Sequence, residues 1–263
     1  MKKLGIVGCG KLGGIVADAI VKGILKEYEL VGVYSRTEDR AVMLAGRVNE
    51  AGGDCNVCES VDELIGLGID IIVEAASPAA MKELALPALK AGISIVTLSI
   101  GAFADDDFYN EVMATAKQSG ARVYVVSGAT GGFDVLQTAT LMGNAKARFF
   151  NEKGPNALKG TPVYDDSLQN ERRVVFKGTA KEAIATFPTK VNVTVAASRA
   201  SVGPENMEVT MVSTPGFTGD TQRVEIENDQ VKAVIDVYSA TAEIAGWSVV
   251  NTLLNISAPI MFC

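Results

Sequence analysis

The 263-residue sequence contains no histidine, so no site in this chain can use the side chain that ordinarily titrates near neutrality. Cysteine is scarce as well: Cys9, Cys55, Cys58 and Cys263, with Cys55 and Cys58 forming a C-x-x-C. Without a second pair or an imidazole, a tetrahedral zinc site lacks ligands, and the pair precedes the helix start "SVDELI" rather than opening a thioredoxin-like unit. The expectation is two reduced thiols at or partly below the surface, and no metal. Long apolar runs are missing too. No run reaches the roughly 18 residues of a membrane span, and "MKK" leads straight into a glycine-punctuated strand, which predicts no membrane partner and a cytoplasmic location. Basic clusters are absent: no Lys/Arg run exceeds two residues and the net charge is -7. Nucleic acid is therefore not the expected partner, and a small-molecule substrate is.

What is present is enough apolar matter, 48% of residues, for two modest cores. The reading divides the chain into residues 1–125, 126–240 and a C-terminal helix over 241–263. The first part alternates the β-rich runs "KLGIVG", "YELVGVYS", "IDIIVEAA", "ISIVTLS" and "RVYVVSG" with helical patterns near 11–23, 40–51, 78–91 and 106–119. Strands alternating with helices of this length predict an α/β, doubly wound parallel sheet. After "SGATGGFD" and a helical stretch to about residue 141 the texture changes. Runs such as "ARFFNEKGPNALKG", "KVNVTVAASRA", "MEVTMVSTP", "QRVEIEN" and "VKAVIDVYS" suggest strands of an α+β domain with one face covered. The last stretch, "ATAEIAGWSVVNTLLNISAPIMF", has helical spacing and no charge after Glu243, and reads as a buried or interface helix.

Gly8, Gly10 and Gly13 form G-x-G-x-x-G between the first strand and helix, with Lys11 and Leu12 inside it. The first glycine permits a tight turn, the second lets backbone approach a pyrophosphate, and the third allows close helix–strand packing. The loop therefore predicts a dinucleotide cofactor. At the end of the second strand, where NAD binders carry an acid for the ribose hydroxyls, stand Ser35, Arg36 and Thr37. A hydroxyl and a guanidinium suit a 2′-phosphate, so NADP(H) is the preferred cofactor and NAD(H) a possible one. Three further loops fall at the carboxyl ends of strands, where ligands of open α/β sheets lie. They are Ala75, Ala76, Ser77 and Pro78; Ser99, Gly101 and Ala102; and Ser127, Gly128 and Ala129, whose small residues and N–H groups suit a cofactor or a substrate carboxylate.

"VEAASPAAMKELALPALKAG", "LSIGAFAD", "SGATGGFDVL", "FKGTAKEAIATFP" and "VNV", in this order and spacing, resemble the L-aspartate dehydrogenase family over nearly the whole chain. The resemblance implies a Rossmann domain followed by an α+β catalytic and dimerisation domain, a homodimer, and reversible oxidation of an amino acid to its imino acid with NAD(P).

The chain departs from the family pattern in its second half. Where the family has D-P-x4-N-x-H with an active-site histidine, "TPGFTGDTQ" aligns without a gap and places Asp220 at the Asn and Gln222 at the His. A glutamine amide can donate and accept hydrogen bonds but cannot shuttle a proton. "FPTKVNV" places Lys190 where the family has Asn, and the family's Asn-Pro-Lys-Thr-Ser segment appears as "TAEIAGW". Reduction of an iminium needs no protein acid, because the substrate nitrogen is already charged, whereas oxidative deamination requires the amine to lose a proton first. Lys153, Lys190 and Asp220 are the candidate bases, a lysine in such a pocket more often pairing with a carboxylate. The expected function is an NADP(H)-dependent oxidoreductase of a C–N bond, an amino-acid dehydrogenase or imine reductase with an altered substrate site. The alternative is a non-catalytic NADP(H)-binding sensor or interaction protein.

Overall fold

The computed structural model describes residues 1–188 and 191–262. In chain order the elements are β1 (Lys2–Val7), α1 (Lys11–Val21), β2 (Tyr28–Tyr34), α2 (Glu38–Glu50), β3 (Asn56–Cys58), α3 (Val61–Gly66), β4 (Ile71–Glu74), α4 (Pro78–Lys90), β5 (Ser94–Thr97), α5 (Asp106–Ser119) and β6 (Val123–Val125). There follow α6 (Phe133–Leu141), β7 (Lys146–Lys153), β8 (Arg173–Thr179), α7 (Ala180–Thr186), α8 (Asn192–Arg199), β9 (Glu208–Ser213), β10 (Asp220–Glu227), β11 (Lys232–Ser239) and α9 (Glu243–Ser257). Two compact units result, one comprising Met1–Gly128 with Ala245–Cys263, the other Ala129–Ile244.

The first unit is a parallel six-stranded sheet in the order β3-β2-β1-β4-β5-β6, the Rossmann arrangement. Its inner strands are buried on both faces: Leu4, Ile6, Ile72, Val73, Ile95 and Val96 are fully covered. Local signals fix the helices. Ser60, Ser77 and Asp105 accept backbone N–H bonds at the starts of α3, α4 and α5, and Pro78 begins α4. The strand order reverses between β1 and β4, which opens a crevice at their carboxyl ends. Here the Gly8 N–H donates to the Tyr34 carbonyl (2.9 Å) and the Ala75 N–H to the Val7 carbonyl (2.8 Å), tying three strand-ending loops together. Helix α9 returns to this unit, with Val249, Val250 and Leu253 in its core and the Tyr28 hydroxyl donating to the Leu253 carbonyl (2.8 Å).

The second unit is a mixed five-stranded sheet, β11-β10-β7-β9-β8, in which β7 and β9 run parallel. Helix α6 packs on β10, α7 on β9, and α8 on β7. Alternation in β7 turns Ala147, Phe149, Asn151 and Lys153 inward.

Two expectations are corrected. "NVTVAASR" is the helix α8, not a strand: residues Thr194, Val195, Ala196, Ala197 and Ser198 are all buried, so period-two alternation over four residues did not mark one covered face. Cys55 and Cys58, expected at or partly below the surface, are buried free thiols, 4% exposed each, and Cys9 is a buried free thiol too. Cys55 precedes and Cys58 ends β3, a strand the sequence reading missed, and burial pushes the Cys55 thiol up to about 12 and that of Cys9 up to about 11.

Candidate functional site

A cavity of about 200 Å³ opens over the glycine loop of the first unit. Gly8, Gly10, Ser35, Arg36, Thr37, Ala75 and Ala76 line it, joined by Arg40. The three glycines have separate reasons. Gly8 has a positive φ of 101°, and a Cβ there would lie 2.6 Å from the Ala75 carbonyl, so the turn after β4 leaves no room for a side chain. A Cβ on Gly13 would collide with the Gly8 carbonyl oxygen. Gly10 has an extended backbone and nothing within 4 Å of where its Cβ would stand. Neither conformation nor packing demands glycine there, so the missing side chain keeps open the space above the start of α1. That helix carries no side-chain cap and no acid in its first turn, which leaves its N-terminus suited to a phosphate. These residues fit a dinucleotide.

Other expected cofactor residues serve the scaffold. Lys11 begins α1, and Leu12 packs on the core. Ser77 caps α4, accepting from the Ala80 N–H at 3.2 Å, and Pro78 is that helix's first residue. Gly101 and Ala102 sit in the short 3₁₀ helix Ile100–Ala104, with Ala102 buried. The Gly128 N–H donates to the Ser248 hydroxyl (3.1 Å) directly after Ser127. Ser99 is buried and turned toward Glu74.

Glu74 ends β4 with no exposed surface. Its carboxylate accepts from the N–H groups of Ala76 (2.9 Å), Ser77 (3.0 Å) and Ser99 (3.1 Å) and from the hydroxyls of Thr97 (2.7 Å) and Ser99 (2.8 Å). One buried carboxylate thus sets the backbone of both the 75–77 turn and the end of β5. Burial outweighs these bonds and holds the carboxyl above its ordinary range.

In the second unit, neighbouring inward positions of β7 and β10 bring Lys153, Asp220 and Gln222 to one cavity of about 260 Å³, with Asn151, Asn192, Thr194 and Ala129 also on its walls. The Lys153 ammonium lies 3.6 Å from the Asp220 carboxylate. Asn151 donates through Nδ2 to Asp220 Oδ1 (2.6 Å) and to the Thr221 carbonyl (2.9 Å). Asn151 Oδ1 and Gln222 Oε1 are buried without a hydrogen-bond partner among the described residues. Lys190 lies outside the described residues.

Residues 134–256 match the model for the aspartate dehydrogenase C-terminal domain, and residues 8–126 match that for the homoserine dehydrogenase NAD-binding domain. The L-aspartate dehydrogenases of Methanosarcina mazei and Methanosarcina acetivorans are 31% and 32% identical, covering 99% of this chain and 98% of theirs. The chain belongs to the L-aspartate dehydrogenase family. The crystal structure of aspartate dehydrogenase from Thermotoga maritima superimposes over the full length of both chains with a TM-score of 0.75 at 27% identity. This chain is accordingly an oxidoreductase of the aspartate dehydrogenase type that uses a nicotinamide cofactor and acts on a small molecule.

Gln222 is a buried amide on β10. Three site residues escaped the sequence reading. Arg40 stands in the first turn of α2, four residues after Arg36 in the loop before it, and neither makes an ion pair among the described residues. Glu74 was visible as the one acid in the apolar run "IDIIVEAA" after its leading aspartate, and Asn151 as a polar residue on the inward face of "KARFFNEK".

Proposed function

We propose that the protein is an NADP(H)-preferring oxidoreductase of C–N bonds, acting on an amino acid or its imine with a substrate site altered from that of L-aspartate dehydrogenases. The observation that carries this reading is the second-unit cavity, where a cation, a carboxylate and two unpaired amide oxygens share one wall, a set suited to a small zwitterion. When bound, the cofactor supplies hydride chemistry. Lys153 pairs with a substrate carboxylate, Asp220 is the candidate to receive the amine proton before oxidation, and Gln222 orients the substrate without exchanging protons. The test is stopped-flow oxidation of bound NADPH on adding 2-oxo acids with ammonia, or preformed cyclic imines. Cofactor oxidation with none of them would count against the proposal only if absent across the whole panel.

The cofactor preference rests on Ser35, Arg36 and Arg40 around the cavity, with no acid at the end of β2. NADP(H) should bind about tenfold or more tighter than NAD(H), the contribution of one charge-assisted pair of roughly 1.5–3 kcal/mol. Arg36→Ala should remove most of that difference in fluorescence titrations. Equal affinities in the unmutated protein would refute the assignment.

We further propose a homodimer. Trp247 and Leu254 on α9, and Ile260, Met261 and Phe262 beyond it, are exposed to 40% or more, an apolar surface that a monomer rarely leaves open. Light scattering at micromolar concentration should give twice the chain mass, and a monomeric mass would contradict the proposal.

A further inference from the structure

We infer that Asn151 determines which substrates the second-unit cavity accepts, selecting a positively charged nitrogen that carries N–H groups over a hydroxyl or a ketone oxygen at the same place. The inference rests on the reading of this cavity as the substrate site. Asn151 is 1% exposed, and its amide orientation is not free. Nδ2 donates to the Asp220 carboxylate and the Thr221 carbonyl, so a flip would set Oδ1 against two acceptors. Oδ1 is therefore held as an acceptor with no partner among the described residues, as is Oε1 of Gln222. Gln222 can turn either end of its amide toward a ligand, whereas Asn151 cannot, and this makes Asn151 the discriminating residue.

The ligand chemistry follows from counting donors. An ammonium brings three N–H donors, enough for Asn151 Oδ1, Gln222 Oε1 and the nearby Asp220 carboxylate, and a protonated imine brings one or two, enough for Asn151 Oδ1 alone or with one of the others. A hydroxyl brings one, and a ketone none. A ketone would place its own oxygen against buried oxygens that have already lost their water, the arrangement that penalises an isostere most. Lys153, 3.6 Å from Asp220, remains on the same wall for the carboxylate of such a ligand.

The test is calorimetric binding to the NADP-saturated protein, using L-aspartate, L-glutamate and L-alanine, each against its 2-hydroxy analogue. The expected result is that every pair that binds favours the amino member by at least about tenfold. Asn151→Leu should weaken the amino acids by a similar factor while leaving the hydroxy acids within about threefold. Because Asn151→Leu removes a buried bridge and could disturb folding, its thermal midpoint is measured alongside, and Asn151→Ser serves as the second variant: its hydroxyl can still donate to one of the two acceptors, Asp220 or the Thr221 carbonyl, and amino-acid binding should fall in it as in Asn151→Leu. Hydroxy acids binding as tightly as amino acids in the unmutated protein would overturn the inference, as would failure of all three amino acids to bind. Absence of turnover would instead sink the dehydrogenase reading and leave the binding ratio standing.

Discussion

NADP-dependent oxidation of L-aspartate by the unmutated protein should be roughly 10²–10⁴-fold slower than an imidazole at position 222 would allow, the usual contribution of general acid–base help. Gln222 is 5% exposed, lies opposite Asn151 in the register of β10 and β7, and lines the cavity with Lys153 and Asp220. Its amide has no accessible proton equilibrium, and the chain holds no histidine to replace it. Steady-state rates of the unmutated and Gln222→His proteins are the measurement, with the variant recovering part of the deficit. Vigorous aspartate oxidation without the substitution would show that another group moves the proton, and Asp220, Lys153 and Lys190 should then be replaced in turn.

Glu74→Ala should cost the first unit about 3–5 kcal/mol, because three N–H groups, the buried one of Ser99 and the partly buried ones of Ala76 and Ser77, lose their acceptor together. A fall of roughly 10 °C in the thermal midpoint is the expected reading. Glu74→Gln should cost about 1–3 kcal/mol, since each carboxylate oxygen faces at least one N–H and an amide NH₂ must oppose one of them whichever way it turns. The pH dependence separates charge from shape. Burial raises the Glu74 carboxyl in the folded protein above its unfolded value of about 4.5, so the folded state holds the proton more tightly. The associated stabilisation is complete below that value and is lost as the pH rises toward the folded one. The stability difference between the unmutated protein and Glu74→Gln should accordingly be larger near pH 4 than near pH 8. A difference that grows with pH would show that the donated bonds, not burial, dominate.

The glycine loop and the parallel sheet were legible because each rests on local chemistry. The apolar runs, the capping residues Ser77 and Asp105, and the spacing of Gly8, Gly10 and Gly13 act within a few residues of themselves. Strand β3 is three residues long and gave no period to read. Helix α8 misled because "VNVTV" alternates while its burial comes from several directions. The meeting of Asn151 with Asp220 depends on antiparallel register between strands 69 residues apart, which no spacing rule supplies.

The return of α9 to the first unit has a consequence for synthesis of the chain. Val249, Val250 and Leu253 complete a core that begins at Leu4, and the Ser248 hydroxyl receives the Gly128 N–H. On the ribosome these residues emerge only after the whole of Ala129–Ile244, a unit continuous in sequence that has all its own strands in hand by then. Until α9 is made, the amino-terminal half keeps open the apolar surface that α9 covers, and that nascent stage is where chaperones would find something to hold.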